Sequence, residues 1–200
     1  MIEINYPKGS FHPMPSTNFQ KKQKRKMVLK VKAGNRGLDF EDAINQTNEY
    51  YKEKGLCLVT KRPTPIKIVK VDYSKGVKIT EAFFETQSTT DYNGVYKGRY
   101  LDFEAKSTRS RTSFPLSNIA PQQIEHLKSV LIQGGIAFFL INLHAFNKTY
   151  LVDAKTVIDF YEAKPRASIP FKDIEEKGHL VKEAYRPRLD YLSIVIEYLL

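Results

Sequence analysis

Residues 91–106 read DYNGVYKGRYLDFEAK, and this stretch decides the fold of the surrounding chain. From Arg99 onward, polar and apolar residues alternate with the period of two that is typical of a half-buried β-strand. One face of the strand would carry Tyr100, Asp102, Glu104 and Lys106. The other would carry Leu101, Phe103 and Ala105, which predicts an apolar face turned to the core and a charged face turned to a cleft.

Two glycine dipeptides compete as the turn of a hairpin before this strand. Asn93-Gly94 has the composition that hairpin turns prefer, but it would place Asp91 far from Glu104. A turn at Lys97-Gly98 would instead set Asp91 directly opposite Glu104, and it would gather Tyr92, Leu101 and Phe103 on the other face. Because it explains both faces, the Lys97-Gly98 turn is preferred.

Opposed carboxylates repel each other unless a cation neutralises them. Asp91 and Glu104 would hold a hard cation through oxygen, and Lys106 on the same face would orient a water or stabilise a phosphate. This Asp…Glu-x-Lys pattern is the skeleton of a metal-dependent phosphodiesterase site.

The same spacing of acid and lysine is common in a lysine-rich chain. It recurs at 153–155, 162–164 and 175–177, where no alternating run flanks it. An ordinary half-exposed strand with its charges in water remains the competing interpretation of residues 99–106.

Length and composition limit the class of protein. The 200 residues suit one domain, and a hydrophobic fraction of 42% is enough for a core. The absence of an 18-residue apolar run predicts no membrane span, and the absence of an apolar N-terminal segment predicts no signal peptide. Cys57 is the one cysteine, which excludes an internal disulfide and favours a cytoplasmic location. The four histidines show no metal-ligand spacing.

The net charge of +10 is unevenly distributed. Residues 1–36 carry nine Lys or Arg and one acidic residue, whereas residues 37–200 carry 23 basic and 21 acidic residues. Such a basic block stays extended and attracts polyanions. We therefore expect residues 1–33 to form a disordered, DNA-attracting arm, with a solubilising tail as the alternative.

A second basic stretch has the pattern of a long hairpin at about 61–84, with a turn near Ser74-Lys75-Gly76. It is too basic on both faces to be buried, so a protruding arm that grips phosphates is expected. The predicted DNA-binding side chains here are Lys67, Lys70, Lys75 and Lys78.

The remaining pattern predicts a mixed α/β fold with one sheet flanked by helices. Helices are expected at 38–54, from Pro121 to about 133, from a cap at Asp153 through Tyr161, and at 190–200. The apolar run 136–141 is typical of a central buried strand. Glu41 lies at the edge of the first helix's apolar stripe, where a carboxylate could border a cleft.

Several motifs together resemble the RecU family of Holliday-junction resolvases. They are Asn35-Arg36-Gly37, the runs 88–94 and 98–106, Thr112-Ser113-Phe114-Pro115-Leu116, Gln123-Ile124-Glu125-His126 and Pro187-Arg188-Leu189-Asp190-Tyr191. They occur in the family's order and span about residues 34–200.

The resemblance implies a restriction-endonuclease-like nuclease core at 34–200, a homodimer, and a stalk formed by the 61–84 hairpin. Asp91 and Glu104 match the family's metal carboxylates, and Lys106 matches its catalytic lysine. Thr89 and Gln123 match further metal-site positions, and Glu41 becomes a candidate catalytic carboxylate. Arg36, in the Asn-Arg-Gly motif, and Arg99 complete the predicted DNA-binding set.

The hypothesis from the sequence is that the protein is a Mg²⁺-dependent endonuclease, with Mn²⁺ as a substitute cation. It would resolve four-way DNA junctions by paired nicks in recombination and repair. Its expected partners are junction DNA, a second copy of the chain and a RecA-type recombinase, at the nucleoid in the cytoplasm. The alternatives are a non-catalytic junction-binding scaffold and a duplex-specific repair or restriction nuclease on the same core.

Overall fold

A computed structural model describes residues 36–84, 89–163 and 166–200. The helices are α1 (Arg36–Glu53), α2 (Pro121–Ile132), α3 (Ala154–Glu162), α4 (Phe171–Lys177) and α5 (Tyr191–Ile194), which continues as a π-helix over Val195–Leu199. The strands are β1 (Leu58–Lys61), β2 (Ile66–Asp72), β3 (Lys78–Phe84), β4 (Tyr92–Tyr96), β5 (Arg99–Thr108), β6 (Ser113–Pro115), β7 (Ile136–Leu143), β8 (Lys148–Asp153), β9 (Ser168–Pro170), β10 (His179–Leu180), β11 (Lys182–Glu183) and β12 (Leu189–Asp190). The arm predicted at 1–33 lies outside the described residues. Within the described ranges, every helix is too short or too polar to cross a bilayer.

The central sheet has six strands in the order β1-β4-β5-β7-β8-β10. Strand β5 pairs in parallel with β7, and the other neighbours pair antiparallel. A parallel neighbour needs a crossover, which runs through β6 and α2. Helices lie on both faces, so the predicted mixed α/β fold with one helix-flanked sheet is confirmed.

The β4–β5 hairpin turns at Lys97-Gly98, as predicted. Both residues have positive φ, 44° and 81°, which is the backbone of a type I′ turn. The pairing runs from Tyr96 opposite Arg99 to Tyr92 opposite Phe103. Asp91 immediately precedes Tyr92, the first residue of β4, and therefore lies level with Glu104 of β5.

The two faces of β5 meet different layers. Leu101 and Phe103 are fully buried in a core shared with α1 and α5, and Phe103 stacks between Tyr92 and Phe138. The opposite sheet face packs against α2 and α3. Asp102 and Glu104 point into this second layer, where α2 covers them, and both are fully buried. This burial excludes the competing interpretation of a strand with its charges in water.

Strands β2 and β3 form a two-stranded sheet of their own. Their pairing begins at Ile66 opposite Phe84 and ends at Asp72 opposite Lys78. The side chains from Ile66 to Phe83 are exposed except for two that are half-buried, Val71 and Glu81. The hairpin predicted at about 61–84 thus has its paired strands at 66–84, whereas Lys61 ends β1 of the central sheet, and its role as a stalk stays a prediction.

Candidate active site

Asp91 and Glu104 are joined by hydrogen bonds across the end of the β4–β5 hairpin. The Asp91 amide donates to Glu104 Oε2 at 3.1 Å, and the Ala105 amide donates to Asp91 Oδ2 at 3.1 Å. The Glu104 carboxylate is thus held by the amide of Asp91, and the Asp91 carboxylate is held by the amide of the residue that follows Glu104. The sequence prediction that the two acids are neighbours is confirmed.

The Glu104 carboxyl group is buried and has two side-chain donors. Gln123 Nε2 donates to Oε1 at 2.7 Å, and Lys106 Nζ lies 2.5 Å from the same oxygen. Burial and, after it, the Asp91 charge raise the pKa of Glu104, the Lys106 ammonium opposes them, and the resulting pKa is about 8. Near neutral pH the carboxyl pair therefore retains a proton unless a cation replaces it.

Lys106 projects from the same face of β5 as Glu104 because the two residues are two positions apart. Its side chain is 21% exposed, whereas that of Glu104 is fully buried. The ammonium therefore lies at the opening of the site, with one side on the carboxylates and the other towards solvent. A phosphate that approached the carboxylates would meet it.

Gln123 is placed by the start of α2. Its Oε1 accepts the Ala120 amide at 3.0 Å, which caps the helix, and this leaves its Nε2 to bind Glu104. In this arrangement Gln123 orients Glu104. Its predicted role as a direct ligand requires the amide oxygen to turn towards the cation, and it stays a prediction. Thr89 is half-buried two residues before Asp91, and its predicted role at the metal also stays a prediction.

Glu41 lies on α1, and its main-chain carbonyl accepts a hydrogen bond from the hydroxyl of Tyr92, the residue after Asp91, at 3.5 Å. Its carboxylate pairs with Lys61 Nζ at 2.5 Å, where Lys61 is the last residue of β1. Tyr92 lies between α1 and the site, and both the Glu41 and Asp91 charges add to the burial that raises its pKa. These contacts place Glu41 beside Lys61 and Tyr92 on the α1 side of the sheet, and its predicted catalytic role stays a prediction.

The predicted DNA-binding side chains are distributed over three places. Lys67, Lys70, Lys75 and Lys78 are exposed on the β2–β3 hairpin, where Lys70 pairs with Glu81 at 2.8 Å. Arg99 is exposed at the turn end of β5, five residues from Glu104, or roughly 17 Å along the strand. Arg36 begins α1, and its side chain lies outside the described parts. None of these assignments is tested by the geometry.

A second charged cluster beside the site was not anticipated. The buried Asp102 carboxylate pairs with Arg62 and accepts a hydrogen bond from the Thr90 hydroxyl. Its Oδ2 lies 2.8 Å from Tyr100 Oη and 2.9 Å from His126 Nε2. The sequence held a partial signal, because Asp102 is two residues before Glu104 on β5 and His126 is one helical turn after Gln123 on α2. Arg62 carried no local signal.

The raised pKa of Glu104 predicts how stability depends on pH. Its pKa is about 8 in the folded protein, against 4.5 ordinarily, so folding binds a proton between these values. Without metal, this stabilisation should be complete below about pH 4.5 and disappear as pH rises through 8. Glu104→Gln has no titrating group at this position. Between pH 5 and 8 its unfolding free energy should therefore fall less than that of the wild type, and the difference should be on the order of a few kcal/mol.

Denaturant unfolding in EDTA at several pH values measures this difference. Glu176→Gln is a suitable control, because Glu176 is an exposed carboxylate that pairs with Lys172 on α4. Equal pH slopes for Glu104→Gln and the wild type would contradict the assigned protonation.

The donor set fits a divalent cation that retains water. In residues 36–84, 89–163 and 166–200, no three His, Cys, Asp or Glu side chains are grouped to hold a metal. The protein would supply the Asp91 and Glu104 carboxylates, with hydroxyl, amide or main-chain oxygens nearby. Mg²⁺ is commonly bound through one or two carboxylates and keeps several waters. The like-charged pair and the high pKa of Glu104 are the local reasons for a cation here.

The fold and the site are those of a mixed α/β protein with paired carboxylates and a lysine at the end of a central hairpin. The family described as Recombination protein U, RecU, matches residues 35–197. The chain belongs to the RecU family.

Two relatives cover nearly the whole chain. The chain is 46% identical over 199 residues to a protein named Holliday junction resolvase RecU from Geobacillus sp. (strain WCH70), and 96% of each chain is covered. It is also 46% identical over 205 residues to the protein of that name from Lactococcus lactis subsp. lactis (strain IL1403), again with 96% of each covered. Among solved structures it is similar to Hjc, a Holliday junction resolvase from Archaeoglobus fulgidus, at 12% identity and a TM-score of 0.42, over 72% of this chain and 95% of that one. The latter similarity is too low to carry an argument.

Proposed function

We propose that this chain is a divalent-cation-dependent endonuclease that resolves four-way DNA junctions. The observation that carries the proposal is the hydrogen-bonded pair of Asp91 and Glu104 with Lys106 at its opening. The relatives named Holliday junction resolvase RecU support the same substrate. Mg²⁺ is the proposed cation, with Mn²⁺ as its substitute.

Each side chain has a separate role in the proposed reaction. Asp91 and Glu104 would hold the cation, which when bound supplies Lewis-acid stabilisation of the phosphate and a more acidic water. Gln123 keeps the Glu104 carboxylate directed at the site. Lys106 would contact the scissile phosphate and offset the charge that develops on its oxygens during in-line attack. Glu41 of α1 is the further carboxylate proposed to act with this pair.

Junction selectivity is assigned to the exposed hairpin. Asp91, Glu104 and Lys106 could act on any phosphodiester that reached them, so selection needs a contact that linear duplex does not make. The β2–β3 hairpin is a suitable element because it is solvent-exposed and carries four lysines. Positive side chains there would supply phosphate affinity with little sequence information.

The proposed assembly is a homodimer with one site for each of two symmetric strands of the junction. A two-fold protein would match the pseudo-two-fold junction and make the paired nicks that resolution requires. Arg36, Arg99 and the basic residues before 34 would extend the DNA contact. A RecA-type recombinase is a proposed partner in the nucleoid.

Incubating the purified chain with a four-way junction tests the cation requirement directly. In MgCl₂ we expect nicked products, and in EDTA we expect intact junction that the protein still binds. Nicking that persists in EDTA at an undiminished rate would refute a cation-dependent site.

The hairpin assignment predicts a loss of selectivity without loss of fold. Replacing both Lys75 and Lys78 by alanine should weaken binding to a four-way junction more than binding to linear duplex, because the hairpin would touch only the junction centre. Two lost phosphate contacts should also reduce the salt slope by about two. Titration of both DNAs at several salt concentrations measures these effects.

The matched control is Lys155→Ala with Lys172→Ala, which removes two exposed lysines from α3 and α4. It should lower both affinities equally or leave both unchanged. Equal losses on both DNAs for the hairpin variant would reduce the hairpin to a general phosphate contact.

A further inference from the structure

Asp102 is the centre of a buried polar cluster behind the site. Its Oδ2 accepts hydrogen bonds from Tyr100 Oη at 2.8 Å and from His126 Nε2 at 2.9 Å, and it also pairs with the Arg62 guanidinium. Its Oδ1 accepts a hydrogen bond from the Thr90 hydroxyl. The carboxylate has no exposed surface. A buried carboxylate is costly unless its charge is paired and its oxygens are hydrogen-bonded, and this one meets both conditions.

Two members of the cluster also hold the chain on either side of Asp91. Thr90 precedes Asp91 directly, and its buried hydroxyl is fixed by Asp102. The Arg62 amide donates to the Asp91 carbonyl at 2.8 Å, while the Arg62 guanidinium pairs with Asp102. The cluster therefore holds the segment that carries Asp91 by two hydrogen bonds, one from the Thr90 side chain and one to the Asp91 main-chain carbonyl.

These contacts matter because the strand pairing on the β4 side begins only at Tyr92, after Asp91. The β1–β4 pairing stops at Lys61 opposite Tyr92, and residues 89–91 are not part of a strand. Asp91 is bonded to β5 through its own amide and carboxylate, and the contacts of Thr90 and Arg62 fix the chain on either side of it. Residues that orient metal ligands commonly change metal affinity or activity by about 10–100-fold when they are removed.

We propose that Asp102, acting through Thr90 and Arg62, positions Asp91 and thereby sets the affinity of the site for a divalent cation. This inference rests on the proposed function, because it takes Asp91 and Glu104 to be the ligands. Asp102, Thr90 and Arg62 are positioning residues, since none of them has to touch the cation or the DNA. They also join the site to the base of the hairpin, because Arg62 lies between β1 and β2.

Tyr100 separates positioning from simple stabilisation of a buried charge. Its hydroxyl donates to the same Asp102 oxygen as His126 and accepts a hydrogen bond from Arg62 Nη2 at 2.9 Å. Tyr100 lies on β5 opposite Val95, away from Asp91, and the Arg62 amide that donates to the Asp91 carbonyl is a main-chain group that does not depend on the Tyr100 hydroxyl. Tyr100→Phe and Thr90→Val each remove one donor from Asp102. Only Thr90→Val removes a bond between Asp102 and the segment that carries Asp91, and Thr90→Ser restores the hydroxyl that makes this bond.

The affinity of the metal-free, full-length protein for Mn²⁺, measured without DNA from the EPR signal of free Mn²⁺, tests the proposal. Thr90→Val should weaken binding by about tenfold or more, whereas Thr90→Ser and Tyr100→Phe should stay within about twofold of the wild type. Wild-type affinity in Thr90→Val would overturn the proposal. So would an equal loss in Tyr100→Phe, because the effect would then follow the Asp102 charge and not the Asp91 segment.

Two further variants keep these outcomes readable. Thr90→Ala removes the same hydroxyl without placing a larger apolar branch against Asp102, and it replaces Thr90→Val if that variant does not fold. Asp91→Asn should abolish the Mn²⁺ site. If the wild type and Asp91→Asn bind Mn²⁺ alike, the proposed metal site itself fails and the positioning role is overturned with it. If only Asp91→Asn differs from the wild type, the metal site stands and the positioning role is overturned.

Discussion

Replacing Asp91 by asparagine should abolish cation-dependent nicking of a four-way junction, with a rate loss of about a thousandfold or more. The amide has the size of the carboxylate, but it removes one of the two negative charges that would hold the cation. It also removes the Asp91 charge, which adds to burial in raising the pKa of Glu104, so the remaining carboxylate should titrate at lower pH. Single-turnover nicking in MgCl₂ measures the rate.

Binding should respond in the opposite direction. Junction affinity in EDTA should be unchanged or higher for Asp91→Asn, because a negative charge facing the DNA is lost. Asp159→Asn is the matched control, since it removes an exposed aspartate that pairs with Lys155 on α3. A nicking rate for Asp91→Asn near that of the wild type would refute the assignment of Asp91 as a ligand.

Replacing Lys106 by alanine should lower the nicking rate by about 10²–10³-fold while leaving cation binding largely in place. This is the usual cost of removing one group that stabilises developing charge on a reacting oxygen. Lys106 Nζ lies 2.5 Å from Glu104 Oε1 and lowers the pKa of that carboxyl, so its loss should raise the pKa further. Part of the deficit near neutral pH would then reflect a protonated Glu104.

Rates at several pH values separate these two contributions. The part due to Glu104 protonation should diminish as pH rises above 8, whereas the part due to the missing ammonium should persist. Lys128→Ala is a control, because Lys128 is a partly exposed lysine on α2 paired with Glu125 and Glu162. Full recovery of the Lys106→Ala rate at high pH would show that Lys106 acts only by keeping Glu104 ionised.

The sequence predicted those parts of the site that depend on local chain geometry. A turn at Lys97-Gly98 and the period of two in β5 were sufficient to bring Asp91 level with Glu104. The Asp153 cap of α3 was likewise readable, because the acceptor and its amide partner Lys155 are two residues apart. In each case the decisive contacts lie close together in sequence or continue a regular strand.

The parts that could not be predicted depend on packing between distant segments. Arg62 is 40 residues from Asp102, and His126 is 24 residues from it, so no local pattern links them. The burial of Asp102 follows from α2 covering β5, which the alternation of polar and apolar residues did not indicate. The short strands β9 to β12 were missed for a related reason, since their pairing partners and not their composition define them.

The measurement that tests the central claim most directly is cleavage of matched DNAs of one sequence: a four-way junction, a linear duplex and a flapped duplex, each in MgCl₂ and in EDTA. We predict paired, symmetric nicks in opposite strands of the junction in MgCl₂, little cutting of the linear and flapped DNAs, and none in EDTA. Junction binding without any nicking in MgCl₂ would contradict the assignment of Asp91, Glu104 and Lys106 as a hydrolytic site. Equal cutting of all three DNAs would contradict junction selectivity.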